Sequence, residues 1–301
     1  MNTVETIAGV GAACDDVRAR GGTVGLVPTM GFFHEGHRSL MRTARAAHDM
    51  VVVSLFVNPT QFGPGEDLDA YPRDLDADTA AAIAEGVDVL FVPSVAEMYP
   101  DGARTTVHVA DLTDRLCGAR RPGHFDGVTT VVAKLFSIVG PCTAYFGRKD
   151  AQQLAVVRRM AADLDLPVHV VGCPLVREPD GVAMSSRNSY LSSDDRRRAA
   201  VLVRSLRAAA EAVASGERDA RAVRGVLVET LASEPAVRID YAEIVDATTL
   251  KEVDRIEHDT LIALAAFVGK TRLIDNIAIS VHDDATTVDQ GLLATVHAER
   301  D

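Results

Sequence analysis

The sequence predicts an α/β protein, with a Rossmann-like parallel sheet in an N-terminal domain and a smaller α+β C-terminal domain. Two patterns indicate this fold. Short aliphatic runs alternate with helical stretches over about the first 170 residues, and several runs are apolar at nearly every position, as in strands buried on both faces of a parallel sheet. Beyond Pro174 the alternation stops, and two helical stretches precede three strand candidates joined by short links.

The predicted elements follow in chain order. The first strands are Thr23–Val27, Val51–Val57, Val87–Val92, Ala144–Phe146 and Val168–Val171, and the helices between them are His37–His48, Leu75–Glu85, Val128–Val139 and Ala151–Asp163. After a loop that runs to Asn188 come helices Ser193–Ala214 and Ala220–Leu231, then strands Ile239–Val245, Thr260–Val268 and Leu273–Ile279. We therefore predict one domain over residues 1–175, a second over 176–283 and a mobile tail over 284–301, where the chain is polar and lacks periodicity.

Composition excludes several classes of protein. The chain has 301 residues, 47% of them hydrophobic, and a formal net charge of −12, whereas a nucleic-acid-binding protein usually has a basic face. The N-terminus lacks a basic segment followed by an apolar one, and the longest aliphatic run, Val51–Val57, is far shorter than the about 20 residues that cross a bilayer. The four cysteines form no C-x-x-C pair. We expect a cytoplasmic protein with free thiols and no nucleic-acid or membrane partner.

Three partial motifs are rejected. Gly269-Lys270-Thr271 resembles the end of a P-loop, but Leu264 stands where that motif requires glycine. Gly9 and Gly11 begin a dinucleotide-binding fingerprint, but Cys14 replaces its third glycine and no strand is predicted before it. His34 and His37 resemble part of a zinc-protease motif, but they are three residues apart with a glycine between them, whereas the protease histidines are four apart on one helix face.

The segment Pro28–His37, PTMGFFHEGH, follows a predicted strand and leads into a predicted helix. Such a turn lies at the carboxyl edge of the sheet, where open α/β sheets bind ligands, and the start of a helix favours phosphate. The glycines in it allow a nucleotide close to the backbone, and His34 and His37 can donate hydrogen bonds to phosphate oxygens. The pattern resembles the H-x-G-H signature of the nucleotidyl-transferase superfamily, which includes class I aminoacyl-tRNA synthetases.

A second loop carries Met184-Ser185-Ser186-Arg187, just past the last predicted parallel strand. Its hydroxyls and guanidinium can follow the β- and γ-phosphates of a nucleotide as pyrophosphate leaves. The same superfamily pairs its histidine motif with such a loop, so the position of this segment favours a functional role over that of a plain linker.

Seven segments between about residues 20 and 280 together resemble the pantothenate synthetase family. Besides PTMGFFHEGH, they are Phe56–Phe62, Tyr71–Arg73, Arg121–Phe125, Phe146–Asp150 with Gln152 and Gln153, Ser185–Asn188 and Thr271–Asn276. One departure is Arg148, where the family usually has glutamate, and the role of that position is open.

The resemblance implies a ligase of pantothenate and coenzyme A biosynthesis. ATP, with Mg²⁺, would activate the carboxylate of pantoate as an enzyme-bound pantoyl-adenylate and release pyrophosphate; the amine of β-alanine would then attack, giving pantothenate and AMP. A homodimer formed through the N-terminal domain is also implied. The phosphates and water would supply most of the ligands of the Mg²⁺ ion, so no protein metal ligand is expected. Asp74, Asp76 and Asp78 are interpreted as a solvated acidic helix face rather than outer contacts of the metal.

The resemblance also implies the role of each site residue. His37 would be catalytic with His34 beside it, Lys149 would contact phosphate, and Arg187 would close over the phosphates with its loop in the lid-like second domain. The ATP-binding residues would be Met30, Gly31, Phe32, Phe33, His34, Glu35, Gly36, His37, Gly147, Arg148, Lys149, Asp150, Val176 (through its backbone to adenine), Met184, Ser185, Ser186 and Arg187. Gln61 and Gln153 would hydrogen-bond pantoate, and Gln61 would also lie near β-alanine; amides suit a ligand with several hydroxyls.

Two alternatives stay open at this point. One is a nucleotidyl transferase acting on a phosphorylated acceptor, although Gln61 and Gln153 argue against it because such an acceptor calls for cations. The other is a regulatory nucleotide-binding protein without catalysis, which the retained histidines, Lys149 and Arg187 disfavour.

Overall fold

The computed structural model describes residues 1–282 and 285–294 and confirms the predicted fold class. It contains a six-stranded parallel sheet, a four-stranded antiparallel sheet and a pair of short strands. The chain divides into two compact units. One is Met1–Arg148 with Gln152–Cys173, and the other is Lys149–Ala151 with the residues from Pro174 onward. No helix in the described ranges has both the length and the apolar character that crossing a bilayer requires.

The elements up to residue 173 alternate as predicted. The strands are β1 (Asn2–Val4), β2 (Val24–Thr29), β3 (Met50–Leu55), β4 (Val89–Phe91), β5 (Cys142–Gly147) and β6 (Val168–Cys173). The helices are α1 (Ile7–Ala19), α2 (Glu35–Ala47), α3 (Leu75–Ala84), α4 (Val95–Met98), α5 (Leu116–Arg120), α6 (His124–Val139) and α7 (Ala151–Asp163), with single 3₁₀ turns at Pro59–Gln61, Leu112–Asp114 and Arg148–Asp150.

The six parallel strands lie in the order β1-β4-β3-β2-β5-β6. From β2 the chain moves outward through β3 and β4, then returns to β5 on the other side of β2. The direction of winding therefore reverses between β2 and β5. Open α/β sheets bind their ligands outside the carboxyl ends of the strands at this reversal, which here are Thr29 of β2 and Gly147 of β5.

Helix α2 packs on this sheet through a narrow apolar stripe. Leu40, Met41 and Ala44 are buried with Val51 and Val53 of β3 in one core cluster, while the remaining helix surface is rich in charge. Each large apolar side chain buried in this way contributes about 1.5–3 kcal/mol to folding. The stripe fixes α2 against the sheet and thereby fixes the position of the helix start.

The second unit is α+β. Its elements are β7 (Val176–Arg177), a 3₁₀ segment (Ser186–Tyr190), α8 (Ser193–Ala214), α9 (Ala220–Ala232), β8 (Val237–Asp246), β9 (Thr260–Val268), β10 (Thr271–His282), β11 (Ala285–Asp289) and β12 (Leu292–Leu293). The antiparallel order is β11-β10-β9-β8, and both long helices bury apolar side chains against it. A separate parallel pair joins β12 to β7.

Two local predictions are wrong. Residues 285–294, predicted as part of a mobile tail, form β11 and β12, because pairing with β10 and β7 rather than their own periodicity makes them strands. Residues 284 and 295–301 of that prediction lie outside the described residues. In addition, β1 precedes the Gly9 segment, where no strand was predicted; three residues are too few to show a pattern, and parallel pairing with β4 defines this strand. Cys14 still replaces the third glycine of that motif.

Candidate active site

The two histidines of PTMGFFHEGH cap the start of α2. His34 is the N-cap residue, so the helix begins at Glu35, two residues earlier than predicted. The His34 Nδ1 accepts the Gly36 N–H at 3.1 Å, and the His37 Nδ1 accepts the His34 N–H at 3.4 Å. The ring centroids are 4.1 Å apart. Because both Nδ1 atoms accept, the proton of each neutral ring is on Nε2, which makes both Nε2–H groups donors.

The loop before these histidines is held by Asp78, whose importance the sequence did not show. Gly31 and Phe32 have positive φ values of 85° and 52°. The Asp78 carboxylate, on α3, accepts the N–H of Phe32 at 2.7 Å and that of Phe33 at 2.6 Å, and the residue is 3% exposed. Burial raises the pKa of the Asp78 carboxyl, and the two backbone hydrogen bonds oppose this shift without cancelling it.

The predicted solvated acidic face is therefore wrong for Asp78, which turns inward onto the loop. Asp74 caps α3 by accepting the Ala77 N–H at 3.0 Å, and Asp76 is exposed in the first turn. Among residues 1–282 and 285–294, no three His, Cys, Asp or Glu side chains are placed to hold a metal ion.

The side chain of Glu35, the first residue of α2, pairs with Arg42 on the same helix. Arg42 also bonds Glu85 at 2.9 Å, and Arg38 bonds the same carboxylate at 2.6 Å. What Glu35 can present to a phosphate is thus its main-chain N–H at the helix start rather than its carboxylate.

Gln61 lies in the 3₁₀ turn after β3 and is 9% exposed. Its Nε2–H donates to the Met30 sulfur at 3.0 Å, and its Oε1 accepts from the Asn58 Nδ2 at 3.2 Å. Gly127 lets α6 approach this turn, because a Cβ there would be 2.3 Å from the Thr60 carbonyl oxygen. The structure thus brings the predicted Gln61 to the predicted Met30.

Arg121 and His124, from the R-P-G-H segment, hold the backbone of Gln61. The His124 Nδ1–H donates to the Gln61 carbonyl oxygen at 2.7 Å, and the His124 Nε2 accepts from the Arg121 guanidinium at 3.0 Å. Arg121 also bonds Glu66 at 2.7 and 2.5 Å. Burial opposes ionisation of Glu66, but the hydrogen bond and charge of Arg121 outweigh it and lower the pKa of Glu66 to about 2. Both residues lie in a segment that carried the resemblance, but no role was assigned to them.

Two adjacent glutamines at the start of α7 differ in burial and in hydrogen bonding. The Gln152 side chain is buried; it accepts the Cys117 N–H at 2.9 Å and donates to the carbonyl oxygens of Leu112 and Arg115 at 2.8 and 2.7 Å. Gln153 is half-buried, and its amide makes no hydrogen bond to any residue within the described ranges. The Gln152 amide therefore holds the neighbouring backbone, whereas the Gln153 amide bonds none of the described residues.

Gly147 ends β5 at the winding reversal, and a Cβ added there would meet no atom within 4 Å. The next residue, Arg148, donates through Nε to the Gly172 carbonyl oxygen on β6 at 3.2 Å. Its side chain thus contacts β6.

In the second unit, the segment Thr271–Asn276 holds the main chain at Lys149. The Asn276 Nδ2–H donates to the Lys149 carbonyl oxygen at 2.9 Å, and the Lys149 ammonium lies 3.7 Å from the Asp150 carboxylate. The Asn276 N–H bonds the carboxylate of Asp275, which forms a buried two-point ion pair with Arg177.

The Met184–Arg187 loop begins against β7. The Met184 N–H donates to the Val176 carbonyl oxygen at 2.9 Å, and the Ser185 hydroxyl accepts the Arg187 N–H at 3.3 Å. Asn188 closes the loop by donating to the Glu178 carboxylate at 2.6 Å and to the Ala183 carbonyl oxygen at 3.0 Å. The predicted Val176 and Met184 are therefore neighbours.

A helix start capped by two histidines at the winding reversal of a parallel sheet defines an α/β nucleotide-binding protein of the H-x-G-H class. A family model described as pantoate–β-alanine ligase matches residues 2–278. The pantothenate synthetase of Heliobacterium modesticaldum is 56% identical over 281 residues, which cover 93% of this chain and 100% of the relative. The chain therefore belongs to the pantoate–β-alanine ligase family, and it is an enzyme that joins pantoate to β-alanine with ATP. This finding decides against both alternatives left open above.

Two solved structures of the same family are similar to this chain. The crystal structure of pantothenate synthetase from Thermus thermophilus superposes with a TM-score of 0.87 at 48% identity, covering 92% of this chain and 98% of that one. The pantoate–β-alanine ligase of Francisella tularensis, described as complexed with β-γ ATP and β-alanine, gives a TM-score of 0.75 at 33% identity, covering 92% and 97%.

Proposed function

We propose that this ligase works through a pantoyl-adenylate. A carboxylate oxygen of pantoate attacks the α-phosphorus of ATP, the bond from that phosphorus to the β-phosphate oxygen breaks, and pyrophosphate leaves. The amine of β-alanine then attacks the acyl carbon, loses a proton, and displaces AMP to give pantothenate. No covalent bond to the protein is needed, so positioning and charge stabilisation carry the catalysis.

The capped start of α2 is the observation that carries this proposal. His34 and His37 there are both Nε2–H donors, and the helix start adds its own N–H groups at the carboxyl edge of the sheet. These groups suit the negative charge that develops on the phosphates when the α-phosphorus is attacked. We assign His37 the catalytic role, with His34 beside it, and the Met30–Gly36 backbone to ATP.

Pantoate is assigned to Gln61 and Gln153. Gln61 is held at its backbone by His124 and Arg121, whereas the Gln153 amide is unpaired among the described residues. One rigid amide and one uncommitted amide can together serve the hydroxyls and the carboxylate of pantoate. Gln61 is also assigned to the neighbourhood of β-alanine.

The remaining nucleotide contacts are assigned by family resemblance and by local geometry. They are Gly147, Arg148 (through its main chain), Lys149 on phosphate, Asp150, Val176 through its backbone to adenine, and the loop residues Met184, Ser185, Ser186 and Arg187. The ATP and β-alanine of the Francisella tularensis complex support a nucleotide and an amine acceptor in this family.

The proposal includes MgATP as the form of the nucleotide, because phosphates and water supply most ligands that Mg²⁺ prefers. It also places the enzyme in the cytoplasm, which the four free thiols of Cys14, Cys117, Cys142 and Cys173 support. We also propose a homodimer formed through the N-terminal unit. Light scattering on a sizing column measures the oligomeric state, and a monomer at assay concentration would contradict the homodimer.

Oxygen-18 in the carboxylate of pantoate tests the adenylate route. The oxygen that attacks the α-phosphorus stays on it when the acyl carbon is released, so labelled AMP is expected. Pyrophosphate should also form in a single burst when β-alanine is omitted. Label in inorganic phosphate with ADP as the other product would contradict the proposal, since it indicates an acyl phosphate.

A further inference from the structure

The last described residues lie beyond the part of the chain that the family model matches, which ends at residue 278. After β11 pairs with β10, the chain turns at Asp289, which accepts the Gly291 N–H at 3.0 Å, and β12 then runs parallel to β7. We call residues 289–294 the C-terminal strap.

The strap is fitted closely to β7. The Leu292 N–H donates to the Leu175 carbonyl oxygen at 2.7 Å, and the Ala294 N–H donates to the Arg177 carbonyl oxygen at 2.8 Å. Gly291 has a φ of 80°, and a Cβ there would lie 2.5 Å from the Leu175 carbonyl oxygen. Only glycine meets both conditions, so the close approach depends on this residue.

The strap also completes the hydrogen bonding of Arg177, which is 1% exposed. The Arg177 Nε–H donates to the Gln290 carbonyl oxygen at 2.5 Å. The other four N–H groups donate to Asp275 at 2.7 and 3.1 Å, to the Gly181 carbonyl oxygen at 3.1 Å and to the Asn276 carbonyl oxygen at 3.3 Å. All five donors of the guanidinium are thus used, and loss of the strap would leave a buried cationic donor without its acceptor.

Arg177 connects the strap to two groups assigned to the nucleotide. On β7 it follows Val176, whose carbonyl oxygen accepts the Met184 N–H. Through Asp275 it reaches Asn276, which donates to the Lys149 carbonyl oxygen. A displaced strap would therefore disturb the positions of both Val176 and Lys149.

We propose that the C-terminal strap is a positioning element for ATP, acting through β7 and the Arg177–Asp275 pair on Val176 and Lys149. The proposal rests on the assignment of these two residues to the nucleotide. Pantoate is assigned to Gln61 and Gln153 in the other unit, so the strap should affect nucleotide affinity selectively.

A proline scan of three successive strap residues tests this proposal in the full chain. Proline removes the N–H group, and in a strand successive N–H groups point to opposite sides. Leu292→Pro deletes the hydrogen bond to Leu175, just before β7, and Ala294→Pro deletes the one to Arg177 of β7. Leu293→Pro is the matched control, since Leu292 and Leu293 are both exposed leucines. Calorimetry measures the affinity for a non-hydrolysable MgATP analogue, and steady-state kinetics give the KM for pantoate.

We expect analogue binding to weaken about tenfold in Leu292→Pro and Ala294→Pro and to change less than about twofold in Leu293→Pro, with the pantoate KM constant throughout. Tenfold corresponds to about 1.4 kcal/mol. Equal affinity in all three variants, equal loss in all three, or a parallel rise in the pantoate KM would overturn the proposal.

Gly291→Val gives an independent measurement, because its Cβ would meet the Leu175 carbonyl oxygen. Its control is Gly21→Val, which has a φ of 79° but open space around the Cβ. We expect the analogue to bind more weakly in Gly291→Val but not in Gly21→Val. Equal binding in both variants would contradict the positioning role of the strap. If the unmodified chain binds the analogue but yields no labelled AMP, the adenylate route fails while the binding scan still decides on the strap.

Discussion

The Asp78 carboxylate accepts the main-chain N–H of Phe32 at 2.7 Å, and so holds a residue with a φ of 52° just before the histidine motif. A positive φ is unfavourable for a residue with a bulky side chain and persists only where the surroundings enforce it. Asp78 enforces it from α3, and the same carboxylate binds Phe33. The start of α2 is therefore positioned by a side chain 43 residues further along the chain (78 against 35).

Asp78→Asn should impair catalysis without changing the size or shape of the side chain. An amide can accept one of the two N–H groups, but its own N–H₂ faces the other, which loses its acceptor in a buried site. Such a loss costs about 1–3 kcal/mol, or roughly 5- to 150-fold in kcat/KM for ATP. Pyrophosphate release from MgATP and pantoate measures it. The exposed Asp76 of the same helix gives the control Asp76→Asn, and equal rates in the two variants would remove Asp78 from this role.

Different substitutions separate the observed hydrogen bond of His37 from its proposed contact with the phosphates. Its Nδ1 accepts the His34 N–H, and its Nε2–H is the donor assigned to the phosphates. Gln can place an amide N–H near the Nε2 position, whereas Asn reaches only the Nδ1 position. We therefore expect His37→Gln to retain more adenylate formation than His37→Asn, both being far slower than the unchanged enzyme. Calorimetry with the MgATP analogue should show affinities within about fivefold for both, equivalent to under about 1 kcal/mol. Full activity in His37→Asn would show that the Nε2–H is not needed.

Much of the fold could be predicted from the sequence because its elements are long and periodic. Helices Ala151–Asp163 and Ser193–Ala214 and strand Thr260–Val268 begin and end where they were predicted. Where pairing rather than periodicity creates an element, the prediction failed. β1, β7 and β12 have three residues or fewer, and each exists because another strand supplies its hydrogen bonds.

For a similar reason, the sequence indicates some residues of the candidate site and misses others. His34, His37 and Gln61 stand in segments whose residue types show the chemistry directly. Asp78 and Arg177 bond the backbone of distant residues, and nothing local in sequence separates a buried aspartate from an exposed one on the same helix. Only the folded structure shows hydrogen bonds between residues so far apart in sequence.

Glu66 should make the stability of the chain depend on acid pH. Its pKa falls from the ordinary value of 4.5 to about 2 in the folded chain, because the hydrogen bond and charge of Arg121 outweigh burial. A depressed folded pKa means that the stabilisation is fully present above about pH 4.5 and is lost as the pH falls through about 2. Urea unfolding between these values should show a shallower loss of stability in Glu66→Gln than in the unchanged chain. Glu5→Gln, at an exposed position, is the control, and identical acid limbs in all three proteins would refute the coupling.

Gln152 and Gln153 allow the substrate role to be separated from the structural one. Gln153→Ala removes an amide that bonds no described residue, so we expect the melting temperature to stay constant and the pantoate KM to rise about tenfold, the effect of losing about 1.4 kcal/mol of hydrogen bonding to the substrate. Gln152→Ala removes three hydrogen bonds that hold the Leu112–Cys117 segment, so it should lower the melting temperature by several degrees. A melting temperature that falls equally in both variants, with the pantoate KM unchanged in Gln153→Ala, would assign both glutamines to the structure and leave Gln61 alone as the pantoate amide.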